Sequence, residues 1–398
     1  MRLTSALFTT LLVLSADCTA ATQQVTRSAR PLAPQAPAAP RPTPCSPRFL
    51  RTPTFSSEVM LPWQACPASA WPFTAVYSPD GADLYLPLFG GLIGSGGCTV
   101  ARVDPVTFQL RSTITVEESP EDVDFVTRPD GSVLLGFVSN SSASSVTVFD
   151  SLDRLVTTIP LPPDPQGSFP TAFPFDVITS PDQSTVYVGT LDGQGLVHAI
   201  DVATLALDPV KTIALGTGVS AARMAFVGEE LVICATEFLP GFTGSTGKVV
   251  VVPTSLPGPA RELVLASDSS GFLFPNPQDV AIDCEGLAWV AGFDMGARVF
   301  AIDPVGPTLV TTIATATSQP DGKFQALGLS DEGLLAVSDF WTNEMSTIDV
   351  RRRAWRETIG FDLLPVFARA AQDIVFSPDG LSIVVPCAAS DNVIVFAR

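Results

Sequence analysis

Seven short turns of one kind divide the chain at nearly equal steps. They are Ser78-Pro-Asp-Gly81, Arg128-Pro-Asp-Gly131, Ser180-Pro-Asp-Gln183, Val227-Gly-Glu-Glu230, Asp283-Cys-Glu-Gly286, Ser330-Asp-Glu-Gly333 and Ser377-Pro-Asp-Gly380. Their acidic residues fall at 80, 130, 182, 229, 285, 332 and 379, in steps of 47 to 56 residues. In such a turn Pro presets the bend and Gly takes the positive φ that starts the return strand. Two further registers keep phase with the first. One is an apolar residue followed by Asp at the end of a third strand: Val103-Asp104, Phe149-Asp150, Ile200-Asp201, Ile302-Asp303 and Ile348-Asp349, with Val252-Pro253 as the departure. The other is a Thr-Ile pair at 113–114, 158–159, 212–213, 312–313 and 358–359.

Four antiparallel strands every fifty residues is the arithmetic of a β-propeller blade, an architecture shared with WD40-like repeats. A lone blade would leave both apolar faces wet, so the blades must stack radially and close into a ring. The reading is therefore an all-β, seven-bladed β-propeller of four-stranded antiparallel blades. Its last unit ends at Val393-Ile-Val-Phe-Ala-Arg398, where a third strand should finish. The β-compatible stretch Thr54–Leu61 is predicted to supply the missing outer strand and close the ring from the N-terminal side.

The chain before the blades reads differently. Residues 1–20 resemble an export signal, with Arg2 at the start and a short apolar run over Leu3–Ala16. Two processing routes are open: cleavage after Ala20, or acylation of Cys18 as in a bacterial lipoprotein, which would leave a lipid anchor. Residues 21–48 form a Pro/Ala-rich linker, and residues 49–398 form the propeller with its closing strand. Export implies a periplasmic, cell-surface or extracellular location, and no run is apolar enough for a transmembrane span.

Composition narrows the partners. The net charge is −18, and residues 1–62 carry +4, which leaves −22 on the rest. A nucleic-acid partner is excluded on that ground, because phosphate binding needs clustered Lys or Arg. The partner is expected to be a protein, glycan or small ligand, and the propeller a monomer. Of seven cysteines, the six after Cys18 could form disulfides in an oxidising compartment. Topology places Cys66, Cys98 and Cys387 near the closing seam, with Cys45 just before it. Bridges are expected to join Cys66 to Cys98, Cys387 or Cys45. Cys234 and Cys284 belong to opposite faces and should not pair.

The phrases Ser377-Pro-Asp-Gly-Leu-Ser-Ile-Val-Val385 and Asn392-Val-Ile-Val-Phe396 resemble those of the YVTN and lactonase-like propellers. Pro277-Gln-Asp-Val-Ala-Ile-Asp283 is similar to the related NHL repeats. The resemblance spans roughly residues 63–398. It implies the propeller fold and admits three kinds of role: sugar-lactone hydrolysis, a part like the heavy subunit of quinoprotein amine dehydrogenases, or cell-surface binding.

The short turns share one face of the ring, and the long second-to-third-strand and inter-blade loops share the other, where recognition is expected. Six residues before each turn acid the inner strand should meet the central channel. That count selects Thr74, Asp124, Asp176, Arg223, Asp279, Ala326 and Asp373. Asp124, Asp176, Asp279 and Asp373 with Arg223 could hold a divalent cation or a charged head group, or could lock blade to blade. Many aromatic residues fall on the long-loop face: Phe89, Phe137, Phe169, Phe173, Phe238, Phe242, Phe272, Phe274, Phe293, Phe340, Trp341 and Phe367. They form either a binding platform or filler between blades. His198, the single histidine, falls in a packed outer strand, which disfavours a Ser-His-Asp or Cys-His centre. The first expectation is a non-catalytic binding or scaffold protein that needs no cofactor, with Phe293, Phe340 and Trp341 beside the channel group as the ligand-binding set. The alternative is a lactonase-like hydrolase or quinoprotein-dehydrogenase-like subunit that uses the channel carboxylates and a divalent cation.

Overall fold

The computed structural model describes residues 50–61, 69–91, 96–162, 172–255, 259–269, 274–316 and 323–398. The expected export signal and the whole of the linker lie outside these residues, as do Cys45 and Cys66. Strands dominate the described residues, with three 3-10 turns and no α-helix. They form seven sheets, each an antiparallel meander. Blade 2, for example, runs Pro120–Thr127, Val133–Asn140, Ser145–Asp150 and Leu155–Pro160.

Ring closure follows the sequence expectation. Thr54–Met60 pairs antiparallel with Asn392–Ala397, from Thr54 opposite Ala397 to Met60 opposite Asn392. It is the outer strand of blade 7, ahead of Asn392–Ala397, Ser382–Cys387 and Val375–Phe376. Phe55 meets Phe396 edge to face at 6.3 Å, and Leu61 is buried at the end of the strand. Blade 3 departs from the plain pattern. Its outer strand is split into Ala206–Leu207 and Ile213–Ala214, both pairing with Leu196–Asp201.

The core lies between blades rather than within them. Between blades 5 and 6, Trp289, Ala291 and Val299 pack on Leu335, Val337 and Ile348. The Trp289 indole N–H donates to the buried Asp283 carboxylate at 2.8 Å. Facing blades are apolar on both sides, which explains why the middle strands read as nearly continuous hydrophobic runs. Gly136 sits directly under the Phe149 ring, where a Cβ would lie 2.1 Å from Cζ, so that position admits no larger side chain.

Among the described cysteines, Cys234 and Cys387 are free and buried, whereas Cys98 and Cys284 are disulfide-bonded. Cys234 and Cys284 are thus not paired with each other, as topology required. Cys387 takes no part in the expected seam bridge. Cys284 was not among the cysteines expected to be bridged. The face-to-face distance constrains only two cysteines that both belong to blades, so it does not limit a partner from outside them.

Candidate functional site

The inner strands enter the channel through a repeated local device. Three residues before the channel position, the backbone turns left-handed: Trp71 (φ 41°), Ser119 (φ 61°), Phe173 (φ 47°) and Ala370 (φ 57°). Such φ values cost on the order of 1 kcal/mol or more for bulky residues, so the surrounding contacts must hold them. The Trp71 N–H, for instance, donates to Asp391 Oδ1 at 2.7 Å. The inner strand then carries a register shift, seen between Pro174 and Asp176 and between Pro277 and Asp279, which aims two successive residues at the axis.

The channel carboxylates bind backbone amides of the next blade. Asp122 accepts from Val177 N (3.2 Å), Asp176 from Met224 N (2.8 Å), Asp279 from Leu327 N (2.6 Å) and Asp373 from Ala75 N (2.9 Å). Thr74 plays the same part with its hydroxyl, which donates to the Glu121 carbonyl at 2.9 Å. Around the ring the positions are therefore Thr74, Asp122, Asp176, Arg223, Asp279, Ala326 and Asp373.

One residue differs from the sequence count. Asp124 is not the ring residue of blade 2; Asp122 is. The inner strand of blade 2 is longer, with a second irregularity between Val126 and Thr127, so its turn comes two residues later. Asp124 instead accepts the Thr179 N–H at 2.5 Å, a second bond between blades 2 and 3. Burial raises its carboxyl to about 6.

Arg223 is the counter-charge of the ring. Its Nη1 lies 3.1 Å from Asp122 Oδ1 and 3.2 Å from Asp176 Oδ1. Burial alone would lower its pKa, but Asp122, Asp176, Asp373 and Asp279 together hold it well above the ordinary value. The acids respond in the other direction. Burial, aided by neighbouring Asp122, pushes Asp176 well up, and burial pushes Asp279 to about 7 and raises Asp373. Four buried carboxyl groups thus face one guanidinium. Among the described residues no group of three His, Cys, Asp or Glu side chains could hold a metal ion.

Aromatic rings lie beside Arg223. Phe73 and Phe175, from blades 1 and 3, meet edge to face at 5.7 Å across the intervening blade. Phe89 packs on Phe73 at 5.3 Å, and the Arg223 guanidinium lies 5.5 Å from the Phe175 ring centre. His198 is buried away from the channel, opposite Val188, and burial lowers its pKa.

The aromatic set divides. Phe137 is fully buried between blades, while Phe89, Phe173, Phe238 and Phe274 are half-buried. Phe169 and Phe272 lie outside the described residues, as does the Phe242 side chain. Phe293, Phe340 and Trp341 converge at the seam of blades 5 and 6. Lys323 forms an isolated bridge with Phe293, and its carbonyl accepts the Phe340 N–H at 3.0 Å. Phe340 meets Trp341 edge to face at 5.5 Å, and Trp341 remains 41% exposed. Lys323 pairs there with Asp294, an ion pair that sequence reading missed because it forms only when two blades adjoin. Phe367, 63% exposed, stands one blade further on with Arg369 over its ring.

No protein-family model and no curated protein sequence matches the chain. Solved structures do. Hydrazine synthase of Kuenenia stuttgartiensis superposes with a TM-score of 0.63 at 18% identity, over 83% of this chain and 96% of that one. Virginiamycin B lyase from Staphylococcus aureus gives 0.65 at 12% identity, over 86% and 98%. The β-propeller domain of Myceliophteria thermophila Cps50 (Swd1) gives 0.61 at 10%, over 87% and 100%. At these identities the likeness shows the seven-bladed propeller fold and nothing of activity.

Proposed function

We propose that the protein is an exported binding propeller of the YVTN and lactonase-like kind, which recognises its partner on the long-loop face through Phe293, Phe340 and Trp341. One observation carries the reading: the carboxylates and the arginine of the locking ring are committed to structure, while Trp341 on the loop face is left open. Asp122, Asp176, Asp279 and Asp373 each accept a neighbouring blade's amide, and the Phe175 ring of the Phe73–Phe175 pair packs on Arg223. An exposed Trp341 with half-buried Phe293 and Phe340 beside an ion pair suits a partner that offers apolar or sugar faces together with polar groups. Disulfides at Cys98 and Cys284 support an oxidising compartment, reached through the export signal at residues 1–20 or a lipid anchor at Cys18.

The test combines two measurements on the purified protein. Soluble oligosaccharides are screened by tryptophan fluorescence against the protein and its Trp341→Ala variant; saturable quenching lost in the variant supports the reading. A lactone and ester turnover screen with metal analysis runs alongside. Turnover that depends on Asp279 and a bound divalent cation would establish the hydrolase alternative instead.

A further inference from the structure

A second ring of residues lies one position before the locking ring: Phe73, Glu121, Phe175, Ala222, Gln278, Gln325 and Gln372. The contact of Phe73 with Phe175 across an intervening blade shows that this ring points to the axis. Two of its polar members are unusual. Glu121 is 5% exposed and Gln372 is 7% exposed, yet Glu121 Oε2 and Gln372 Oε1 have no hydrogen-bond partner among the described residues. Buried polar atoms left unpaired are destabilising, so their retention asks for an occupant.

Both orphan atoms can accept a hydrogen bond. Glu121 and Gln372 flank Phe73, on blades 2 and 7 either side of blade 1, the same two-blade separation at which Phe73 and Phe175 meet. An occupant that donates satisfies both atoms once Glu121 is ionised, and it must suit aromatic faces. Charge selects further: four carboxyl groups, whose ionised forms an approaching cation favours, face a single guanidinium beside this ring, on a chain of net charge −18. A cation is attracted to such a channel and an anion repelled.

We propose that the channel mouth binds the head group of a small organic ammonium ion, held by the Glu121 carboxylate and the Gln372 carbonyl against the Phe73 and Phe175 rings. This site is separate from the aromatic ridge at blades 5 and 6. An ammonium supplies the donors that both acceptors lack and gains cation–π attraction from the rings. Glu121 is set up to respond. Burial raises its carboxyl to about 8, with Ser141 and Arg223 acting to lower it and Asp122 to raise it. At neutral pH the empty site carries the neutral acid. Arrival of R–NH3+ ionises it, and its proton leaves to solvent while the ammonium stays charged.

The experiment is calorimetric titration of the full chain with 2-phenylethylammonium, in two buffers of different ionisation enthalpy, beside 2-phenylethanol and phenylacetate. The ammonium alone should bind, releasing up to one proton at pH 7 and fewer above pH 9. Glu121→Gln should bind it about tenfold or more weakly, the loss expected for a charge-assisted hydrogen bond, and without proton release. That variant should fold, because Gln occupies the same ring position in blades 5, 6 and 7. Gln372→Leu gives a second, independent loss of affinity. Equal binding of all three probes, or unchanged affinity and proton release in Glu121→Gln, would overturn the proposal. So would no binding of the ammonium up to about 10 mM, which is weaker than one such pair should allow.

Discussion

Asp176 and Arg223 meet at 3.2 Å in the channel, while the other carboxylate oxygen of Asp176 accepts the N–H of Met224, the residue after that arginine. One side chain thus neutralises a charge and ties blade 3 to blade 4. This double use explains why a buried carboxylate is worth its desolvation cost here: it satisfies the Met224 amide and shares the buried guanidinium with Asp122.

Removing the cation should therefore be costly. Arg223→Leu leaves Asp122 and Asp176 without their counter-charge, and breaking such a buried pair from one side costs roughly 3–5 kcal/mol. The loss should be larger at pH 8 than at pH 5.5, since protonation of Asp176, which burial already favours, can partly replace the arginine at the lower pH. Urea denaturation at both values measures it. A loss independent of pH would mean that the variant fails through packing alone.

Acid should stabilise the wild-type protein over a range where most proteins are indifferent. Asp124, Asp279 and Glu121 have folded pKa values raised to about 6, 7 and 8. A raised carboxyl contributes stability that is fully present below its unfolded pKa and is lost as pH rises through the folded one. Stability should thus fall between about pH 5 and 8. His198 works in the opposite sense: its pKa is lowered by burial, so its contribution is present above the unfolded value near 6.5 and lost as pH falls. Melting temperatures from pH 4.5 to 8.5 should show the decline on the alkaline side, and Glu121→Gln should flatten its upper part.

Ring closure predicts a contrast between two truncations. Deleting residues 1–62 removes the strand Thr54–Met60 together with the contacts of Phe55 and Leu61. At about 1.5–3 kcal/mol per large buried side chain, this should cost about 3 kcal/mol or more and expose the edge of Asn392–Ala397 to aggregation. Deleting residues 1–44 should leave the melting temperature within a degree or two of the full chain, since the strand remains. Equal melting of the two truncations would sink the closure model.

The fold was legible because it repeats, and the misplaced ring residue lies where the repeat is broken locally. Turn acids at regular steps located every blade, and the unfinished last unit located the closing strand. The same count put Asp124 in the ring, since a sequence does not display the irregularity that lengthens the inner strand of blade 2. Gln278, Gln325 and Gln372 stand 47 residues apart and one place before a ring position, a signal open to inspection that was overlooked beside the more obvious carboxylates. The pairing of Lys323 with Asp294 had no such signal. It exists only because blade 6 begins beside the second-to-third-strand loop of blade 5.

The third turn offers a separation of backbone strain from hydrogen bonding. Gln183 takes the place that Gly fills at 81, 131 and 380, and it adopts the same left-handed backbone, φ 62° against 69°, 85° and 67°. A side chain there is strained by about 1 kcal/mol relative to Gly. The compensation is a bond between blades: the Thr127 N–H donates to Gln183 Oε1 at 2.8 Å, and the Thr127 hydroxyl approaches the same oxygen at 3.3 Å. Gln183→Ala keeps the strain and loses the bond, so it should cost about 1–2 kcal/mol. Gln183→Gly loses the bond but relieves the strain, and should lie between the alanine variant and wild type. Chemical denaturation of the three proteins decides the order. If the alanine variant matched wild type, the bridge from Thr127 would contribute nothing, and glutamine at this turn would be a tolerated departure from glycine rather than a tie between blades 2 and 3.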